Sequence, residues 1–390
     1  MIIGVLKEPS PETRVSLLPE HVVLLQKKKV DVMVESNAGI AAFASDENYR
    51  NAGATTTGRQ EVLQNADIVL SINELLSPDM DLLENKIILG IYQPLFNKAF
   101  IQSCAAKKIT VFSIDMLPRT TRAQSMDVLS SQANIAGYKA VLLAANSFSR
   151  YFPMFMTAAG SIPPAKVLIL GAGVAGLQAI ATARRLGAVV EVFDTRPAVR
   201  EEVMSLGAKF IQVEGAADAS KAGGYAVEQS QDFMQRQKAK IAESVAKADI
   251  VITTAQIPGK RAPVLITTEM MEAMKKGSVI IDLAAATGGN TELTKNDETV
   301  IHNGVSILGN SRLPAGMPGD ASKLYGKNIT NFLQLIIDGE GKINLNFEDD
   351  LVKGTCIAHQ GVVTNEMVNE KMDISEDLAN SSVPVSLAGE

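Results

Sequence analysis

The stretch KVLILGAGVAGLQAIATARRLGAVVEVFD, residues 166–194, decides the fold of the central part of the chain. An apolar run, KVLIL, leads into GAGVAG, and the segment that follows has the pattern of a helix. A second apolar run, VVEVFD, comes next. Strand, glycine-rich turn, helix and strand in this order predict a βαβ unit of the Rossmann type.

The glycines of this turn suit a loop that holds a pyrophosphate. Gly171 permits the tight turn, Gly173 lets the backbone approach the phosphates, and Gly176 allows the helix to pack closely on the strand. Because the helix begins inside the motif, N–H groups such as those of Val174 and Ala175 would face the ligand together with the positive end of the helix dipole. We therefore expect a dinucleotide site here.

Asp194 is the expected ribose-binding acid. It ends the second strand and lies 23 residues after Gly171 (194 − 171), close to the spacing of about 20 found in such folds. A carboxylate at this point would repel a 2′-phosphate, which favours NAD(H) over NADP(H). Arg196, two residues later, weakens that preference slightly and is a further candidate contact.

Composition excludes several classes of protein. The chain has 390 residues, enough for two domains, and 46% of them are hydrophobic. A net charge of −6 with interspersed signs gives no basic face for nucleic acid. The two cysteines, Cys104 and Cys356, form neither a disulfide framework nor a zinc site, so we expect no metal and a reducing cytosol. No transmembrane helix or cleaved leader is expected.

Alternating strand and helix patterns extend over most of the chain. In the first third, Pro19 suits the first turn of a helix, and a long alanine-rich helix starts near Ser130. Strands are expected in the first domain at 2–6, 30–35, 67–72, 86–92 and 110–115, and in the second at VLIL, VVEVFD, KFIQV, DIVITTA, SVIIDLA and VSILG. Six parallel strands make a complete Rossmann sheet.

The predicted fold class is α/β, with two Rossmann-like parallel-sheet domains joined by long interdomain helices and separated by a cleft. An amphipathic segment after Asp320 is expected to return the chain to the first domain, which is therefore discontinuous. We expect a first domain of residues 1–130 plus 325–372 and a nucleotide-binding domain of 131–324. Residues 373–390 have the composition of a flexible tail.

Side chains for proton transfer beside a nicotinamide are few. The chain has three histidines, His21, His302 and His359, and none adjoins a strand end that would face the nicotinamide. Each is interpreted as a surface or packing residue.

The chain resembles the alanine dehydrogenase and pyridine nucleotide transhydrogenase superfamily over nearly its whole length. The shared motifs are RVSLLPE, GAGVAG, ITTAQIPGKRAPVLIT and GSVIIDLAAATGGN. Within that superfamily, the segment at 118–141 looks like the nicotinamide-side loop of the soluble NAD(H)-binding component of proton-translocating transhydrogenase. The sequence GGYA at 223–226 looks like its mobile loop.

The resemblance implies roles for individual residues. Arg119 would hold the nicotinamide carboxamide region, Gln124 would reach toward a second nucleotide, and Asp127 and Ser130 would orient the first. The remaining implied nucleotide contacts are Gly224, Tyr225, which would fold over the bound nucleotide, Gln237 and Gln256.

The dehydrogenase branch needs a lysine, a histidine and an aspartate, and their counterparts here are Asn73, Gln93 and Ala286. Arg14 remains, but an arginine alone cannot interconvert an imine and an amine. The transhydrogenase interpretation implies direct hydride transfer to NADP(H) on a partner subunit. The alternatives are an alanine-type dehydrogenase with unusual residues and a catalytically idle NAD-binding module.

The resemblance also implies partners. They are a second copy of this chain, a membrane-spanning subunit and an NADP(H)-binding subunit, as expected for an α chain of the split kind. Its expected place is the cytoplasmic face of the bacterial inner membrane, to which the partner subunits would attach it.

Overall fold

The computed structural model describes residues 1–213 and 231–370, and the chain divides into two compact units. The first unit comprises Met1–Leu129 and the segment that begins at Pro318, and the second is Ser130–Met317. The chain leaves the first unit and returns to it, and each unit is built around a sheet of its own.

The N-terminal part alternates strands with short helices. Its strands are β1 (Ile2–Val5), β2 (Asp31–Glu35), β3 (Thr55–Thr57), β4 (Ile68–Leu70), β5 (Ile87–Gly90) and β6 (Thr110–Ser113). Its helices are α1 (Pro19–Gln26), α2 (Asp46–Asn51), α3 (Arg59–Asn65), α4 (Ser77–Met80) and α5 (Lys98–Ala106). Pro19 occupies the first turn of α1, where a missing N–H costs nothing.

The second unit follows the long helix α6 (Val128–Ser147), within which the division between the units falls. Its strands are β7 (Phe155–Thr157), β8 (Gly160–Ile162), β9 (Lys166–Leu170), β10 (Val189–Phe193), β11 (Lys209–Phe210), β12 (Ile250–Thr253), β13 (Val279–Asp282), β14 (Thr299–His302) and β15 (Val305–Leu308). Its other helices are α7 (Val174–Arg185), α8 (Arg200–Ser205), α9 (Gln231–Lys247) and α10 (Thr268–Glu272).

The C-terminal segment adds α11 (Pro318–Ile336), α12 (Asp350–Thr355), β16 (Cys356–His359) and β17 (Val362–Val363) to the first unit. Its eight-stranded sheet has the order β17-β16-β6-β5-β4-β1-β2-β3. All five predicted strands are present and parallel, and the C-terminal strands β16 and β17 extend this sheet with antiparallel pairings. The short edge strand β3, a run of three threonines, escaped prediction because it has no apolar alternation.

The sheet of the second unit has the order β11-β10-β9-β12-β13-β15-β14. The six predicted strands form the expected parallel Rossmann sheet, with β14 added antiparallel at one edge. Asn303 and Gly304 link β14 to β15, both with positive φ, as in a tight hairpin turn. That Asn-Gly pair was the available signal for the additional strand.

A small hairpin, β7–β8, stands apart from both large sheets. In this hairpin Phe155 pairs with Ile162 and Thr157 with Gly160. Every residue of 154–163 is exposed. Within the part of the chain that the structure describes, no helix is long and apolar enough to cross a membrane.

Candidate functional site

The glycine-rich loop follows the buried strand β9 and opens α7. Gly171 has φ +109°, a conformation that side chains disfavour. A Cβ on Gly176 would lie 1.9 Å from the Gly171 carbonyl oxygen, so only glycine allows this approach of helix to strand. Two of the three glycines are thus required by the backbone itself.

Gly173 differs from the other two glycines of the loop. It is the N-cap of α7 with extended backbone, and a Cβ placed on it would meet no atom within 4 Å. The first N–H groups of a helix, here those beginning at Val174 and Ala175, have no partner within the helix. Open space before a helix N-terminus fits a phosphate, so the residues present suit the predicted dinucleotide.

Asp194 follows β10, and its carboxylate is held in place by four hydrogen bonds. The Ala172 N–H donates to Oδ2 at 2.7 Å and the Arg196 N–H to Oδ1 at 2.8 Å. The Arg196 guanidinium donates to both oxygens at 2.9 Å, and this bond to Asp194 raises the pKa of Arg196. Asp194 therefore ties the glycine-rich loop to the next strand.

The buried carboxylate of Asp282 organises the hydrogen bonds at the carboxyl ends of β12 and β13. Asp282 is fully buried and accepts hydrogen bonds from Thr253, Thr294 and the backbone of Ala284 and Asn290. Asn290 in turn bonds both backbone polar groups of Ala255 and the carbonyl of Pro263. This network fixes the loop that carries Gln256, which donates to the Leu283 carbonyl at 3.1 Å.

The sequence analysis did not predict this network. The sequence feature that could have indicated it is Asn290, which follows a Gly-Gly pair.

The other predicted nucleotide contacts of this unit are Gln237, Gly224 and Tyr225. Gln237 is partly buried on α9. Gly224 and Tyr225 lie outside the described residues.

The segment with Arg119, Gln124 and Asp127 belongs to the first unit and is firmly attached to it. Residues Thr121–Met126 form a 3₁₀ helix in which Ala123 and Met126 are buried in the core. The Ser125 carbonyl accepts from the side-chain amides of Asn328 and Asn331 on α11, both at 2.9 Å, and Arg122 pairs with Asp349 and Asp350.

Although the segment is attached to the first unit, some of its side chains are exposed to solvent. Arg119 and Gln124 are exposed, and Asp127 is partly buried directly before α6. Ser130 is partly buried in the first turn of α6 and belongs to the second unit. The asparagines and aspartates that hold the segment lie about 200 residues away in sequence, so no local pattern could reveal them.

Polar side chains fill the strand ends of the first unit. Arg14 forms a two-pronged pair with Glu12, with Nε–Oε1 at 2.8 Å and Nη2–Oε2 at 2.7 Å. Burial would raise the pKa of Glu12, but Arg14 outweighs it and lowers that pKa. Buried Glu8 accepts from the Asn73 side chain at 2.8 Å and from the Ile72 N–H at 2.5 Å, and burial raises its pKa.

The remaining residues compared with the dehydrogenases carry no acid–base pair. Gln93 is exposed with φ +47°, and Ala286 is exposed in a 3₁₀ turn. The histidines lie elsewhere: buried His21 accepts from the Leu18 N–H, His359 bonds Thr110, and His302 pairs with Glu272 at the far end of β14. Burial lowers the pKa of His21, in keeping with a packing role.

A Rossmann sheet whose first turn is a glycine loop with open space before a helix defines the dinucleotide-binding class of α/β protein. Matches to family models identify the family within this class. The N-terminal domain of Alanine dehydrogenase/PNT matches residues 4–136, and the C-terminal domain matches 140–366. The chain belongs to the alanine dehydrogenase/PNT family.

Similar proteins point to one branch of that family. The chain is 44% identical to the first part of NAD(P) transhydrogenase subunit alpha of Rhodospirillum rubrum, covering 94% of this chain and 98% of that one. It is 41% identical to the protein of the same name in Rickettsia prowazekii, over 96% and 99%. The structure of a transhydrogenase from Sinorhizobium meliloti matches with a TM-score of 0.85 and 43% identity, over 93% and 100% of the two chains.

Proposed function

We propose that this chain is the NAD(H)-binding component of a proton-translocating transhydrogenase. In this reaction a hydride passes directly between NADH and NADP⁺ bound to a partner subunit, leaving NAD⁺ and NADPH. The observation that carries the proposal is an intact dinucleotide loop in a chain whose Asn73, Gln93 and Ala286 cannot supply acid–base chemistry.

The lack of an acid–base pair at these three positions favours hydride exchange over dehydrogenation, because the two reactions differ in their proton balance. Oxidising an amine or an alcohol removes a proton as well as a hydride, so the protein must provide a base. Exchange between two nicotinamides moves a hydride alone. The chain then needs only to orient its nucleotide, place it within about 3 to 3.5 Å of the acceptor carbon and exclude water.

The nucleotide contacts follow from the loop. The backbone at Gly171, Gly173, Val174, Ala175 and Gly176 would bind the pyrophosphate. Asp194 would accept from the ribose hydroxyls, and because its four acceptor positions are occupied, Arg196 would have to release part of its hold as the ribose binds. An anionic Asp194 favours NAD(H) over NADP(H).

The other assigned residues would act at the nicotinamide. Arg119 would hold the carboxamide region, Gln124 would reach the second nucleotide, and Asp127 and Ser130 would orient the first. Exposure of Arg119 and Gln124 on a segment anchored by Arg122 and the Ser125 carbonyl supports these roles. Gln256 and Gln237 would contact the nucleotide, and so would Gly224 and Tyr225 outside the described residues.

The proposed assembly includes a second copy of this chain, an NADP(H)-binding subunit and a membrane-spanning subunit, at the cytoplasmic face of the bacterial inner membrane. The β7–β8 hairpin supports self-association. An isolated two-stranded hairpin is marginally stable in water, and this one exposes Phe155 and Met156, with 76% of Met156 exposed. Covering these side chains with a second copy would stabilise it.

Reconstitution with the NADP(H)-binding subunit of the same organism tests the proposal. Mixed with NADH and thio-NADP⁺, the two proteins should reduce the thio-nucleotide, and neither should do so alone. No exchange at saturating partner, with NADH bound, would favour the idle NAD-binding module.

The alanine dehydrogenase alternative has its own assay. NADH consumption with pyruvate and ammonia, in the absence of any partner, would establish it. The proposal expects no consumption above background.

A further inference from the structure

The helices α6 and α7 approach each other closely near the phosphate loop, and both partners of the contact lie in the second unit. A Cβ on Gly137 of α6 would lie 2.1 Å from the carbonyl oxygen of Ala175 and 2.9 Å from its carbonyl carbon. Ala175 is the second residue of α7, inside GAGVAG. Gly137 thus brings α6 against the backbone of the loop assigned to the pyrophosphate.

Further contacts fix the same pair of helices. The Asn134 side chain donates to Gln178 at 3.3 Å, one turn from the glycine contact on each helix. Deeper in the core, Ala140 and Ala144 of α6 share a buried cluster with Ala179 and Ala183 of α7. Small side chains along both helices allow the close approach, and Gly137 is its tightest point.

We propose that Gly137 is a positioning residue: it sets the distance between the phosphate loop and Ser130 on α6. This inference rests on the proposed function of Ser130 at the nicotinamide. Ser130 precedes Gly137 by seven residues (137 − 130), about two helical turns or roughly 10 Å along α6. Since the obstacle to a Cβ is backbone, no rotamer change can relieve it. The helix itself must move by about 1 Å, and Ser130 moves with it.

A displacement of α6 by about 1 Å should affect the rate of hydride transfer more than the affinity for NADH. Misplacing reacting groups by about 1 Å can reduce a rate about a hundredfold, whereas most of the proposed nucleotide contacts, at Gly171, Gly173 and Asp194, lie outside the contact between α6 and α7. For Gly137→Ala we expect hydride transfer to thio-NADP⁺ to slow by about ten- to a hundredfold. The dissociation constant for NADH should change by less than about threefold.

The experiment compares Gly137→Ala with Gly319→Ala, both assayed with the NADP(H)-binding subunit. Gly319 also lies in a long helix, α11, but a Cβ there meets nothing within 4 Å. That control should transfer hydride at the wild-type rate. NADH binding is followed by its fluorescence, transfer by single-turnover absorbance, and folding by circular dichroism and thermal melting.

A milder variant keeps the test decisive if Gly137→Ala folds poorly. Asn134→Ala removes the exposed bond to Gln178 and should slow transfer about two- to fivefold at unchanged melting temperature. Wild-type rates in both variants, or a loss of NADH affinity equal to the loss of rate, would overturn the inference. Failure of the wild-type protein to exchange hydride would instead count against the proposed function.

Discussion

Both sheets have a point at which the strand order reverses, but the residues that follow the strands at that point differ between the two sheets. In each, the strand order reverses beside the first strand of the sheet, at β1 between β2 and β4 and at β9 between β10 and β12. Ligands of open α/β sheets bind at the carboxyl ends of strands at such a point. After β9 the chain presents glycine backbone and open space, whereas after β1 and β4 it presents Glu8 and Asn73 bonded to each other.

The difference teaches that topology provides a possible site and the side chains decide whether it is used. In the first unit, the polar side chains at this point bind groups of the same unit: Arg14 is bound by Glu12, and Glu8 by the backbone and side chain at Asn73. The second unit has a glycine N-cap where a side chain would occupy the space. Only the second edge is expected to bind nucleotide.

The largest expected effect follows from filling that space. Gly173→Val should raise the dissociation constant for NADH by more than about a hundredfold, because the side chain would displace a phosphate from charge-assisted N–H bonds worth roughly 1.5 to 3 kcal/mol each. The melting temperature should barely change, since no protein atom lies within 4 Å of the new Cβ. Titration of NADH fluorescence measures the first effect and calorimetry the second.

Gly58→Val is the matched control in the other unit. Gly58 is likewise an extended N-cap glycine, of α3, with nothing within 4 Å of a Cβ. It should leave NADH binding unchanged. Equal losses in the two variants would remove the distinction between the two units.

A smaller effect is expected at the exposed segment of the first unit. Gln124→Asn shortens the side chain by one methylene and withdraws its amide from a second nucleotide, so hydride transfer should slow by about tenfold. NADH affinity should change much less. Gln64→Asn, the same change at an exposed position of α3, serves as the control in the reconstituted exchange assay. Loss of NADH affinity without a change in transfer rate would assign Gln124 to binding alone.

The smallest effect on nucleotide binding is expected at the closed edge. Arg14→Met should leave NADH affinity unchanged but lower the free energy of unfolding by about 3 kcal/mol, because it leaves Glu12 buried without its partner. Adding Glu12→Leu should restore part of the loss. Urea unfolding measures both, and a change in NADH affinity would show that the first edge takes part in binding.

The pH dependence of that loss has a definite sign. In the wild-type protein Arg14 lowers the pKa of Glu12, so this contribution to stability is present above the ordinary value of 4.5 and disappears as pH falls below it. In Arg14→Met the guanidinium is lost, and burial, which favours the protonated carboxyl, is opposed only by the backbone N–H groups of residues 13 and 14. The difference in stability between the two proteins should therefore shrink from pH 7 to pH 4.

The sequence predicts the parts of this fold that local pattern determines. The glycine loop, Asp194 and the six parallel strands of the second unit follow from apolar runs and fixed spacings, and the structure confirms the Rossmann sheet. The antiparallel strands β14, β16 and β17 were not predicted, and they lie toward the sheet edges. Pairings such as Asn328 with Ser125, or Gly137 with Ala175, depend on tertiary approach and leave no trace at one position.

The proposal of direct hydride transfer is tested most directly with NADH deuterated at the transferred C4 position, in a single turnover with thio-NADP⁺ and the partner subunit. All of the deuterium should appear at C4 of the reduced thio-nucleotide, because the hydride never contacts solvent or an ionisable side chain. Solvent hydrogen in the product, or oxidation of NADH without reduction of the thio-nucleotide, would contradict the proposal.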